Sequence, residues 1–444
     1  DGLVSGNTIS EDIIKPITDQ GRFEKNISPE KAVQMLIDGV VYGYTVKLRD
    51  DIDKVTDDLL SGYCAVFIDG FPEACVTFET KSGDKRGIDQ PKEEKVVKGA
   101  KDAFIEILKT NTMLVRRRLK NRDLKIEQVT LGDKTNTAVT ILYIDKFTNP
   151  DIVNNVRKRL EAVPSEGILT STDIEESIVD CPLSPFPQLI TTERPDKFCL
   201  NLIEGRVGIL ADGIPIGYLA PGTFTQFFKV PEDKANHYVV GSFLTIMRYI
   251  ALALTLILPA FYVAVAMYHQ EMIPTKLMQS IIQSKQSVPF PTAIEVIGML
   301  VSFELLQEAG LRLPNPIGET VSIIGALIVG QSAVEAKVVS PVVIIVVAMA
   351  GIAGYTMPNQ DMGSALRLCR IGLVVAAIFF GMYGLALGLC IIIYHLCYLE
   401  SFGVPYMTPF VGNEGKSIAK AFTREPELMR QERDETLFNG EQEE

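Results

Sequence analysis

The chain has 444 residues, a net charge of −12 and a mean hydropathy of +0.19. The acidic balance excludes nucleic acid as a partner, and the length allows three domains or fewer. Seven scattered cysteines, at 64, 75, 181, 199, 369, 390 and 397, contain no CxxC pair and exclude a zinc site or disulfide framework. Cys64 and Cys75 are expected to face each other across a hairpin as free thiols. The chain starts Asp1-Gly2-Leu3-Val4 without Met or an apolar leader. This reads as a truncated start and keeps the front half on the cytoplasmic side.

Residues 1–23 form a polar arm. Ser28-Pro29-Glu30 opens a helix carrying Ala32, Met35, Leu36 and Val40, and residues 51–60 form a second. Asp69-Gly70 then sits between two β-rich runs, a hairpin signal because both central residues of a type I′ turn need positive φ. A charged linker (81–95) leads to a helix predicted over 96–120, carrying Phe104, Ile107, Leu108, Met113 and Leu114. Strands are predicted over 124–131 and 138–144, and Asn149-Pro150-Asp151 caps a helix to Leu160. Ser184-Pro185-Phe186-Pro187 is a stiff connector. Residues 205–215 repeat the Gly, Asp, Gly and Pro spacing of the first hairpin, again after an apolar helix end. The front half is therefore expected to be an α+β cytoplasmic region of two related helix-hairpin subdomains, 1–85 and 86–240.

Five apolar stretches follow, at 243–268, 292–307, 317–334, 338–356 and 371–399. The first is long enough to cross a hydrocarbon core of about 30 Å. This predicts an all-α polytopic membrane domain over 241–400 and a polar tail over 401–444. With no Trp in the chain, Tyr and Phe serve as interfacial anchors. Lys416, Lys420 and Arg424 favour a cytoplasmic tail, which calls for an even number of crossings. Residues 292–307, short and led by Pro289 and Pro291, are expected to be re-entrant or interfacial, leaving about four crossings.

No enzymatic constellation is visible, and no cofactor or metal site is expected. Gly412-Asn413-Glu414-Gly415-Lys416-Ser417 lacks the leading Gly of a P-loop, which is Phe410 here. His237, His269 and His395 are far apart, and GxSxG and HExxH are absent. Glu271, Glu295, Glu304, Glu308, Glu319, Glu335 and Arg367 lie within or beside apolar stretches, where charged groups face a bundle interior or a water-filled path. Glu308 and Arg312 are spaced for a helical ion pair. The stretch 317–334 carries Gly, Ser, Thr, Glu and Gln among aliphatics, a composition that suits either close helix packing or a pore lining.

Ordered motifs tie the sequence to a known family. They are Glu193-Arg194-Pro195-Asp196, the Leu-Ile-Glu-Gly-Arg-Val run at 202–207, Gln226-Phe227-Phe228, and His269-Gln270-Glu271-Met272-Ile273-Pro274-Thr275. Val288-Pro289-Phe290-Pro291, the run from Glu308 to Pro314, Val339-Ser340-Pro341 and Ser401-Phe402-Gly403-Val404-Pro405-Tyr406 continue the series. The chain resembles the A subunit of GerA-type spore germination receptors. The resemblance implies a multi-pass protein of the spore inner membrane, working with a transporter-like B subunit that senses nutrient and a lipoprotein C subunit. It also implies a homo-oligomer in membrane lipid that forms a gated ion channel whose opening starts germination.

On that basis Glu319, Thr320, Ser322 and Gln331 are expected to line the ion path, with Ile323 and Leu327 as a dewetting gate. His269, Gln270, Glu271 and Pro274, with Glu304, Glu308 and Arg312, are candidates for coupling to partner subunits. The alternatives are a secondary transporter component, for which no inverted repeat is visible, and a non-conducting scaffold of a germination complex.

Overall fold

The computed structural model describes residues 4–18, 28–37, 45–70, 74–80, 91, 94, 99–163, 170–230, 232–233, 236–312, 330–411 and 421–423. They fall into two compact units. One runs to Val179 and resumes over Leu189–Pro221; the other combines Asp180–Gln188 with the residues from Gly222 onward.

The first unit begins with α1 (Pro29–Ile37), β1 (Val46–Arg49), α2 (Ile52–Leu60), β2 (Tyr63–Val66) and β3 (Cys75–Glu79). The strands form an antiparallel sheet in the order β1-β3-β2. Val33 and Leu36 of α1 pack with Ile13, Val76 and Phe78 as its core. The expected Cys64–Cys75 juxtaposition is corrected: Cys64 faces Phe78, and Cys75 faces Arg49. The turn at Gly70 (φ +85°) belongs to a connection longer than two residues, which moves the register away from the cysteine pair.

Next come α3 (Leu108–Arg118), β4 (Leu124–Leu131), β5 (Thr137–Ile144), α4 (Pro150–Glu161), α5 (Ser171–Ile178), β6 (Ile190–Thr192), α6 (Pro195–Ile203), β7 (Val207–Ala211) and β8 (Gly217–Ala220). The strands make an antiparallel five-stranded sheet, β4-β5-β7-β8-β6. The helix predicted over 96–120 starts only at Leu108. Before it, Phe104 donates its N–H to the Glu193 carbonyl (2.8 Å) and sets its ring edge-on to Phe198, which a helix could not do. Asp212, in the second Asp-Gly turn, accepts from the Leu108 N–H (3.0 Å) and satisfies a free donor of α3.

Both stretches that share the Asp-Gly spacing fold alike, as a nine-residue helix, a strand, the Asp-Gly turn and an antiparallel strand. In the second copy α6 lays Phe198 across the sheet. A Cβ at Gly208 or Gly217 would sit 2.2 or 2.7 Å from that ring, so both strands are glycine there.

The second unit holds α7 (Tyr238–Tyr268), α8 (Thr275–Lys285), α9 (Thr292–Arg312), α10 (Pro341–Gly354) and α11 (Gln360–Tyr398). By length and apolar composition α7 and α11 are each able to cross a membrane. A single straight span over 371–399 is not what forms. At Gly381 the backbone leaves the helix (φ 59°, ψ −138°), and the chain folds back. A Cβ on Gly384 would meet the Ala376 carbonyl oxygen at 2.2 Å, and one on Gly388 would meet Leu373 at 2.6 Å. Neighbours this far apart in sequence touch only if 382–398 returns along 360–380. Gly384 and Gly388 thus serve a close helix crossing, as small residues do in membranes. α9 has 21 residues and reaches about 31 Å, beyond the short stretch expected from its apolar core.

Leu256, Ala260, Val263 and Ala264 of α7 pack with Val296, Met299 and Leu300 of α9, Val343 and Val347 of α10, and Leu373, Val374, Ala377 and Leu385 of α11. The chain enters and leaves this bundle at one end. Phe224 donates its N–H to the Tyr406 carbonyl (2.8 Å), and the Tyr249 ring lies 4.7 Å from that of Phe422. At the other end the Tyr268 hydroxyl donates to the Ile378 carbonyl (2.6 Å), beside the Gly381 turn.

Candidate functional site in the helical unit

Three polar constellations interrupt the apolar packing of the second unit. At the entry end, Arg248, one turn and a half into the apolar part of α7, forks onto Asp233 (Nη2–Oδ1 2.9 Å) and donates to the Phe228 carbonyl (3.0 Å). A charge at that depth is tolerable because a carboxylate and a backbone carbonyl meet it. Around it the rings of Phe224, Phe227, Phe228, Tyr249 and Tyr406 form one aromatic cluster. Burial pushes the Tyr406 hydroxyl well above its usual pKa, so it stays neutral there.

The residues after α11 also clasp the connector 180–188. Ser401 donates its hydroxyl to the Gln188 carbonyl (2.8 Å), and the Phe402 N–H donates to Asp180 Oδ2 (2.7 Å). His395 and the Ser184 hydroxyl share a hydrogen bond of 2.9 Å. The stiff proline connector therefore belongs to the helical unit, a placement that its composition alone did not reveal.

The second constellation is in mid-bundle. Glu304 of α9 accepts from Arg367 Nη1 (2.9 Å) and Arg370 Nη2 (3.3 Å) of α11; Arg370 is 4 % exposed. Two guanidiniums thus share one carboxylate. The third lies nearer the Tyr268 end, where Glu295, 2 % exposed, accepts the Ser340 N–H (2.7 Å) at the start of α10 and pairs with Lys285 Nζ (3.3 Å). Among the described residues no group of three His, Cys, Asp or Glu side chains is arranged to hold a metal ion.

The residues expected to be functional are dispersed over this unit. His269 caps the end of α7 and Gln270 donates back to the Ala266 carbonyl (3.1 Å), while Glu271 and Pro274 are exposed. These four lie at the Tyr268 end, away from Glu304 in mid-bundle. Glu308 is exposed, and the side chain of Arg312 lies outside the described residues, as do Glu319, Thr320, Ser322, Ile323 and Leu327. Gln331 is described and exposed on the helical residues 330–335. Sequence reasoning found Glu295, Glu304 and Arg367, passed over Arg370 and Lys285, and named Ser340 only within the Val339-Ser340-Pro341 motif and Tyr262 only as an interfacial anchor. Arg370 carries the same signal as Arg367, a charge beside an apolar run; nothing in the sequence sets Ser340 or Tyr262 beside Glu295.

The profile of the Bacillus/Clostridium GerA spore germination protein family matches residues 1–436. The chain belongs to the GerA family. Within it, the chain is 37% identical over 436 residues to spore germination protein KA of Bacillus subtilis, covering 98% of this chain and 79% of that one. It is 34% identical over 429 residues to spore germination protein B1 of the same organism (97% and 88% coverage), and 33% identical over 435 residues to GerLA of Bacillus cereus (98% and 88%). Among solved structures, the N-terminal domain of the A subunit of the Bacillus megaterium spore germinant receptor GerK3 matches with a TM-score of 0.39 and 28% identity, covering 50% of this chain and 80% of that one. This GerA chain is thus a spore germination receptor A-subunit homologue whose helical C-terminal part carries two long apolar helices.

Proposed function

We propose that this GerA chain is the membrane subunit of a nutrient-responsive germination receptor and that copies of it assemble into a gated ion channel whose opening triggers germination. It would act in the spore inner membrane, both termini cytoplasmic, with a transporter-like B subunit and a lipoprotein C subunit. Glu319, Thr320, Ser322 and Gln331 would line the path, and Ile323 and Leu327 would close it by dewetting.

The observation that carries this reading is the exposure of Gln331, Ser332, Glu335 and Lys337 on a bundle whose helices elsewhere also expose apolar side chains, such as Ile345, Met349, Phe379, Tyr383 and Ile391. Polar side chains at an apolar surface need water or another subunit opposite them. A ring of copies around an aqueous path supplies both.

The test is ion flux from liposomes holding the purified chain, wild type and Leu327→Ala. The proposal expects low leak from wild type and about tenfold more from Leu327→Ala, the effect of about 1.4 kcal/mol off a gating barrier. No flux from either, in chain shown to be folded and oligomeric, would favour a non-conducting scaffold.

A further inference from the structure

The Glu295 constellation has more oxygen than the contacts around it use. Glu295 Oε1, the Ser340 hydroxyl and the Tyr262 hydroxyl are all buried, and among the described residues none makes a hydrogen bond of good geometry. Ser340 is fully buried, and the Tyr262 hydroxyl lies in electrostatic reach of Glu295 and within loose hydrogen-bonding range of the Ser340 side chain. Lys285 approaches from one side: its ammonium donates to the Thr292 hydroxyl and stands 3.3 Å from Glu295 Oε1, an ion pair without a hydrogen bond. Buried polar groups left poorly satisfied cost up to about 1–3 kcal/mol each, and three such oxygens gathered in one place point to an occupant.

We infer that Glu295, Ser340, Tyr262 and Thr292 form a binding site for one monovalent cation, at whose rim the Lys285 ammonium now stands as a tethered substitute. The donor set, a carboxylate and hydroxyls, is that of a hard cation. A single carboxylate matches a single positive charge, and exchanging the ammonium for a cation leaves the charge of the site unchanged. The tether explains why the three oxygens are poorly satisfied, because Lys285 reaches the cluster from the end of α8 and stops at its edge. A free cation is under no such restraint.

Lys285 is also free to leave. Its side chain is a quarter exposed, and α8 buries only Ile281. Cation entry would therefore release α8 from the bundle, since its tie to α9 is made through Lys285 to Thr292 and Glu295.

The experiment is equilibrium binding of radioactive rubidium to the full chain in detergent, with N-methylglucamine chloride holding ionic strength constant. Lys285→Gln should bind one rubidium per chain, at least about tenfold tighter than wild type. Adding Ser340→Ala should weaken this about tenfold, and adding Glu295→Gln should abolish it. If Lys285→Gln binds no more rubidium than Lys285→Gln/Glu295→Gln, the oxygens hold water only and the inference is wrong. Should Lys285→Gln not fold, wild type and Ser340→Ala are compared at high rubidium. Weaker binding by Ser340→Ala supports the site, and equal or absent binding in both overturns it. No flux is read, so the outcome is independent of whether the chain conducts.

Discussion

Asp58 shows how one side chain holds a small sheet. It is 6 % exposed, yet Arg49 donates Nε to Oδ2 (2.7 Å) and Nη2 to Oδ1 (3.2 Å), Thr77 donates its hydroxyl (2.9 Å), and Lys47 lies 3.7 Å away. The hydrogen bonds from Arg49 hold its carboxyl below the usual range. Such a group contributes stability above its unfolded pKa of about 3.9, and the contribution is lost as pH falls through the lower folded value. Asp58→Asn should cost about 1–3 kcal/mol at neutral pH and remove that part of the acid sensitivity. Unfolding midpoints of the full chain measured against pH would show it; parallel acid curves for wild type and variant would sink the idea. In mid-bundle, Glu304→Gln leaves Arg370 and Arg367 without their shared carboxylate and should cost about 3–5 kcal/mol. Arg367→Gln, which leaves the Glu304–Arg370 pair intact, should cost about 1 kcal/mol or less. Thermal unfolding in detergent checks the order, and equal losses would contradict it.

Elements here are positioned by glycines that accommodate large neighbours. The Phe198 ring fills the space that side chains at Gly208 and Gly217 would need. Gly208→Ala should therefore destabilise the first unit by about 1–3 kcal/mol through overpacking, and Phe198→Leu in the same chain should recover part of the loss. Additive losses in thermal unfolding would show that the two positions do not interact. Gly381 has φ +59° and its Cβ position is 3.0 Å from the Tyr268 ring. Gly381→Ala should cost about 1–2 kcal/mol from the left-handed backbone alone. A variant as stable as wild type would mean that 360–398 does not turn back there.

For the whole molecule, the decisive arrangement is that Phe224 and Tyr249 near the start of α7 meet Tyr406 and Phe422 beyond the end of α11. The two ends of the bundle's chain meet, and under the membrane reading proposed above this calls for an even number of crossings between them. A cysteine placed at His237 and the native exposed Cys397 should both react with a membrane-impermeant maleimide from the same side of sealed vesicles. A cysteine at Glu271 should react from the other. Labelling of His237→Cys and Cys397 from opposite sides would reject the arrangement.

Much of this was legible in the residues because its causes are local. The Asp-Gly turns, the Asn149 cap and the apolar runs act over a few positions, and the ordered motifs identify the GerA family without any fold. What lay beyond the sequence depends on contacts between distant segments. Phe104 looks helical by its spacing and is extended because Phe198 and Glu193 hold it there. Residues 371–399 look like one span, and Gly381 reverses them because Tyr268 packs against the turn. Ser340 and Tyr262 are unremarkable residues in a chain of 444 until folding sets them beside Glu295. A carboxylate's cost of burial is visible in sequence; which backbone N–H and which ammonium answer it is decided only when the helices pack.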